Sequence, residues 1–254
     1  MTRARREAAG STDEERFLAE YDVSVFDRPS VAVDIALISA FDGDLFTLLI
    51  RRHDHPFKDH WSLPGGFVRM DESLEQAAAR VLANKGGLSK VFLEQLYTFG
   101  VPARDPRTRV VSVAYYALVE KARFVDATGR GDDVITPRIR VPWDGETGGA
   151  VQAIGRDGKA LPLAFDHAEI LGVAVKRLRG KLDYAPIGFQ MLGDTFTLLE
   201  LQHIHETVLG RSVNKDSFRR RMLASGMLKA TGKSQTGVGH RPAELYRFAR
   251  RSAI

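Results

Sequence analysis

Lys215, Arg219, Arg220 and Arg221 follow Asn214 within seven residues. That spacing gathers cations and short polar groups on one helix. Stepping about 100° per residue from Phe218 puts Met222 about 40° away and Ser225 about 20° away on the other side. These three therefore predict a buried face. Arg220 falls about 160° from Phe218, with Arg219 on its flank, and Arg221 lies about 60° from the core face and snorkels towards a backbone phosphate. The exposed first half of this helix, Asn214, Lys215, Ser217, Arg219 and Arg220, has the chemistry to reach base edges in a DNA major groove. Beyond it, Lys229, Lys233, His240 and Arg241 supply positive charge for phosphate or minor-groove contacts.

The elements around this helix explain its placement. Thr197-Leu198-Leu199-Glu200 fits a capping box that opens a helix ended by Gly210, and Asn214 can cap the next one, Lys215 to Ala224. A glycine-rich polar loop (Thr231 to Gly239) and a strand, Glu244 to Phe248, follow. Helix, tight turn, helix and basic hairpin is the order of a winged helix-turn-helix. Upstream, VAVDIALIS and LFTLLIRR flank Asp42-Gly43 as a hairpin. Residues 71–85 read as a helix stopped by Gly86-Gly87, and strands follow at 93–99 and 109–120. Residues 125–149 read as a loop or insertion, Asp157-Gly158 as a hairpin turn, and Asp166 as the cap of a helix from Ala168 to Leu182. The fold class is α+β. Its expected parts are a mobile arm (1–25), a strand-rich domain (26–184) and a helical domain (190–254).

Composition agrees with that division. Of the 254 residues 44% are hydrophobic, enough for packed cores, and cysteine is absent, which excludes disulfides and thiolate metal sites. Residues 1–175 carry 22 basic and 26 acidic side chains, whereas residues 176–254 carry 15 and 6. The second part is thus built to meet a polyanion. No apolar run approaches the roughly 20 residues of a membrane span, and no signal peptide opens the chain, so a cytoplasmic protein without membrane contact is expected.

A second chemical stretch runs from Leu63-Pro64-Gly65-Gly66 through Glu72, Arg80 and Leu82 to Gly87-Leu88. It resembles the Nudix hydrolase signature, G-x5-E-x7-R-E-U-x-E-E-x-G-U, and implies a Nudix-type α/β/α sandwich. In that family, acidic side chains at the positions of Val81, Asn84 and Lys85 hold magnesium against a diphosphate. Here one of the three is apolar, one neutral and one cationic, so no metal, no cofactor and no catalytic residue is expected. Lys85 is suited to hold a diphosphate directly, as a point cation. The candidate ligand-binding residues are Arg51, Arg52, Trp61, Gly65, Gly66, Arg69, Glu72 and Lys85. Arg51, Arg52 and Arg69 serve equally as surface charges, Trp61 as a core aromatic, and Glu72 as a partner for Arg80 or a helix cap.

A Nudix-like domain followed by a winged helix resembles the Nudix-related transcriptional regulators of NAD biosynthesis (NrtR). Residues 163–167, 196–202, 214–223 and 241–248 carry the likeness. It implies a homodimeric repressor of NAD biosynthesis or salvage genes that binds a palindromic operator in double-stranded DNA and responds to ADP-ribose. Three alternatives stand beside it: a repressor of sugar catabolism, an ADP-ribose pyrophosphatase with an atypical metal site, and an RNA-binding protein. The last is disfavoured by having only Phe218, Tyr246 and Phe248 as aromatics in residues 211–254.

Overall fold

The computed structural model describes residues 12–127, 131–182, 185–237, 239 and 242–249. The first element is a helix, α1 (Asp13–Glu20), within the expected arm. Thr12 and Glu15 exchange the two bonds of a capping box, and no residue of α1 is buried.

Two long apolar strands form the centre of the next domain. β1 (Ser30–Phe41) turns through Asp42 (φ +50°) and Gly43 (φ +81°) into β2 (Asp44–Thr47). Two positive φ values suit the right-handed twist of a hairpin. There follow β3 (Leu49–Arg51), β4 (Trp61–Ser62), β5 (Gly65–Phe67), α2 (Leu74–Val81), β6 (Phe92–Phe99), β7 (Val110–Leu118) and α3 (Lys121–Asp126). The main sheet runs β10-β9-β2-β1-β7-β6, where β9 is Arg138–Arg140 and β10 Gln152–Ile154, and β5 also pairs with β1. β1 and β7 are parallel and the other pairings antiparallel. A smaller sheet joins β3, β4 and β8 (Val134–Ile135). The expected 125–149 loop therefore carries two short strands.

Strand alternation divides the core into two layers. Ile35, Leu37, Val113, Tyr115 and Ala117 pack against Ala77, Ala78 and Val81 of α2. On the opposite face, Ala36, Ile38, Ala114, Tyr116 and Leu118 pack against Ile170, Leu171, Ala174 and Leu178 of α4 (His167–Lys181). α2 is shorter than expected: from Leu82 to Gly86 the chain widens into a π-helix before Gly87 turns left-handed at φ +70°.

The C-terminal part follows the expected order closely. Thr197 and Glu200 form the capping box of α5 (Leu198–Leu209), and Gly210 ends it at φ +68°. Asn214 Oδ1 accepts the Ser217 N–H (3.0 Å) at the start of α6 (Lys215–Ala224). β11 (Leu228–Ser234) pairs with β12 (Glu244–Phe248), so the expected polar loop is strand as far as Ser234. Phe189, Phe196, Leu201, Phe218, Met222 and Tyr246 form a separate small core. Ser225 departs from the helical-wheel expectation and is exposed. α6 has already ended at Ala224, and the Ser225 hydroxyl bonds to the Met222 carbonyl (2.7 Å) in the turn. Ile204 and Val208 of α5 join the α4-side core of the first domain. Among the described residues, no helix is long and apolar enough to cross a membrane.

Candidate ligand pocket and nucleic-acid surface

The pocket begins with a carboxylate inside an apolar strand. Asp34 lies on the α4 face of β1, where alternation aims it at the start of α4. The Ser112 hydroxyl donates to its Oδ2 at 2.6 Å, and Arg104 Nη2 lies 3.3 Å from the same oxygen. Arg104 also grips Asp166 with Nε at 2.8 Å and Nη2 at 2.6 Å. Burial pulls the Arg104 guanidinium down, but its bonds to Asp166 and the Asp34 charge outweigh this and hold it above its ordinary value. The Leu63 N–H donates to His167 Nδ1 (2.9 Å), which leaves the ring proton on Nε2. Burial pushes His167 below its usual value, so the ring is neutral.

Glycines let the chain pass close to this network. A Cβ on Gly65 would lie 2.2 Å from Asp34 Oδ1, and one on Gly66 3.2 Å from Val81 Cγ2. Lys85 reaches back from the π-helix and donates to the Gly65 carbonyl at 2.6 Å. Arg52 lies with its guanidinium carbon 4.8 Å from the Phe165 ring centre and bonds to the Pro56 carbonyl at 2.9 Å. Arg107 is held by Asp105 at 2.8 and 3.0 Å and lies 5.9 Å from the ring centre of the half-exposed Phe67.

Arg52, Lys85, Arg104 and Arg107 thus face Asp34 and Asp105 around one cavity of about 230 Å³. Cations exceed carboxylates by two. Burial lowers the Arg52 pKa and the Arg107 charge lowers it further, against the pull of Asp105 and Asp54; burial also lowers Lys85, against the pull of Asp34 and with the charges of Arg52 and Arg80 adding to the fall. A bound anion would relieve this repulsion.

Of the residues expected to bind a ligand, Arg52, Gly65, Gly66 and Lys85 line this cavity. The other four lie elsewhere. Arg51 points out to Asp59 (2.9 Å), Trp61 packs on the α4-side core, and Arg69 is exposed. Glu72 accepts from Arg80 Nε at 2.8 Å, a bond that holds its pKa at about 2. Asp34, Arg104, Asp105, Arg107, Phe165 and His167 line the cavity without having been singled out as ligand-binding. Their signals were a lone charge in an apolar strand, three arginines within six residues, and the Phe-Asp-His run at the head of a helix.

The second candidate surface is the outer face of α6. Phe218 and Met222 are buried, while Asn214, Lys215, Ser217, Arg219, Arg220 and Arg221 are exposed. Arg221 lies with its guanidinium carbon 5.8 Å from the Phe218 ring centre, on the core side as expected. Lys229 and Lys233 are exposed on β11, and His240 and Arg241 lie outside the described residues. Among the described residues, neither Lys215 nor Arg220 forms an ion pair within the chain.

Comparison with known proteins supplies the family. The NUDIX domain matches residues 28–141 and the NrtR DNA-binding winged helix domain residues 188–248. The ADPR responsive transcriptional repressor NtrR of Acinetobacter baylyi is 38% identical over 240 residues, which cover 94% of this chain and 89% of that protein. NrtR of Shewanella oneidensis, solved in complex with a 27mer DNA, is 36% identical with a TM-score of 0.71, covering 86% of this chain and 93% of that one. An ADP-ribose pyrophosphatase of Methanocaldococcus jannaschii is 33% identical over 145 residues, or 57% of this chain and 72% of that protein. The pyrophosphatase likeness spans little more than half of the chain, whereas the repressor likeness runs through both domains in order: this chain belongs to the NrtR family of Nudix-related transcriptional regulators.

Proposed function

We propose that this chain is a transcriptional repressor of NAD biosynthesis or salvage genes whose Nudix domain senses ADP-ribose without hydrolysing it. The observation that carries this reading is the charge of the pocket. A Nudix hydrolase needs carboxylates to hold magnesium, which takes near-octahedral oxygen ligands. At the three acidic positions of the signature this chain has Val81, buried in the core, Asn84, and Lys85, whose ammonium lies on Gly65. The remaining acid, Glu72, is tied to Arg80. Among the described residues, no three His, Asp or Glu side chains are gathered to hold a metal ion. The residues do not fit magnesium. They fit the diphosphate itself, with Lys85, Arg52, Arg104 and Arg107 supplying the positive charge. Phe67 at the rim offers a face for a base.

The named relatives support the pairing of activities, one being ADPR responsive and another solved on DNA. In a homodimer, the two α6 helices enter successive major grooves with Lys215, Arg219 and Arg220 towards the bases. Lys229 and Lys233 of β11 lie along the backbone, and Arg221 meets a neighbouring phosphate. ADP-ribose weakens DNA binding by preferring an arrangement in which the two helices miss a spacing of about 34–36 Å. A coupling of about 1–3 kcal/mol changes operator affinity roughly 5–150-fold. Fluorescence anisotropy on DNA from upstream of NAD genes, at fixed salt, tests this. Selective binding reversed by ADP-ribose is the expected result, and binding no tighter than to random DNA would remove the repressor reading.

A further inference from the structure

We infer that α4 carries pocket occupancy to the winged helix, with Arg179 as the positioning residue at its far end. The inference rests on the sensing reading above. Phe165 and His167 line the cavity, and between them Asp166 holds Arg104. Asp166 stands at the N-cap of α4 yet makes no side-chain capping bond. Both its carboxylate oxygens are taken by Arg104 instead. Phe165, just before it, is left-handed at φ +51°, a strained conformation for a residue with a Cβ. Two arrangements are therefore open to the head of the helix. In one, Asp166 pairs with Arg104. In the other, with an anion on Arg104, Asp166 is released to cap its own helix.

The rest of α4 behaves as a rod of about 22 Å. Ile170, Leu171, Ala174, Val175 and Leu178 are fully buried, and a Cβ on Gly172 would lie 1.8 Å from the Gly149 carbonyl oxygen. A change at its head cannot be absorbed along its length, because close packing leaves no slack. At the other end, buried Arg179 donates Nε to the Val208 carbonyl in the last turn of α5 (2.9 Å). Its Nη1 reaches the Gly145 and Trp143 carbonyls (2.8 and 3.3 Å), and its guanidinium carbon lies 4.8 Å from the Trp143 ring centre. Val208 is one of the carbonyls a helix end leaves without a helical partner, so Arg179 also completes α5. α5 touches α6 through His205, whose ring centre lies 5.0 Å from that of Phe218. The segment around 143–149, unexplained by the sequence, thus becomes the seat of this joint.

Three affinities test the inference in Arg179→Lys and wild type: ADP-ribose alone by calorimetry, DNA alone, and DNA under saturating ADP-ribose. The expected result is ADP-ribose affinity within about twofold of wild type and basal DNA binding retained. The ratio of DNA affinities without and with ADP-ribose falls below about twofold, from a wild-type value of at least about fivefold. A folded variant that keeps the wild-type ratio overturns the inference, and so does one that loses basal DNA binding, since Arg179 is then purely structural. If Arg179→Lys lacks a cooperative melting transition, Trp143→Leu, which changes a half-buried ring in the same joint, is read in its place by the same criteria. A wild-type protein whose DNA affinity ignores ADP-ribose overturns the sensing reading itself, and this inference with it.

Discussion

The two domains hold their positive charge in opposite ways. In the pocket, Arg104 grips Asp166 and Asp34 and Arg107 is clamped by Asp105, so ligand-facing cations are held in place by the chain's own carboxylates. On α6, exposed Lys215 and Arg220 form no ion pair among the described residues. Fixed charges favour one compact anion, because little ordering remains to be done on binding. Unpaired surface charges suit a long polyanion, whose phosphates supply the partners and whose counterions are released. The contrast assigns the small ligand to the first domain and the nucleic acid to the second.

The largest effect tests the committed half. Arg104→Ala leaves Asp34 and Asp166 without their cation, and a loss of about 3–5 kcal/mol in chemical denaturation is expected. Arg220→Ala, exposed on α6, should stay within about 0.5 kcal/mol of wild type in the same measurement. Similar losses for both would break the comparison. On an operator fragment the order reverses for α6: Arg220→Ala costs about 1–3 kcal/mol of binding if it reads a base with two bonds. An equal loss on random DNA would make it a phosphate contact. In the pocket, Lys85→Glu should weaken ADP-ribose at least about tenfold in EDTA, the scale of a lost charge-assisted bond with repulsion added. Unchanged affinity would remove Lys85 from the site.

How far the sequence foretold these regions follows the distance its signals had to cover. The winged domain is made of local rules: Thr197 and Glu200 cap α5, Gly210 ends it, and Asn214 caps α6, all as the spacing predicts. The pocket is made of remote pairs. Arg104 meets Asp166 across 62 positions and Asp34 across 70, and no periodicity links them. Beside the motif, neighbouring residues divide between the cavity and elsewhere. Arg52 and Ser62 line the cavity while Arg51 and Trp61, one residue before each, point away. Successive side chains in an extended chain face opposite sides, so proximity in sequence selects the wrong residue as often as the right one.

The smallest effect concerns Glu72, which the fold spends on structure. Its carboxyl is held at about 2 by Arg80, so the pair stabilises the folded state above the ordinary carboxylate range and less as pH falls. The difference in stability between wild type and Glu72→Gln should be present at neutral pH and shrink from about pH 4.5 towards 2. A difference that grows in acid would contradict the pairing.

Calorimetric titration of ADP-ribose into the full chain, once in EDTA and once in magnesium, with the ligand recovered afterwards, tests the central claim most directly. Cations in place of a metal predict the same affinity in both buffers and ADP-ribose returned intact. Binding that requires magnesium, or release of AMP and ribose 5-phosphate, would contradict it.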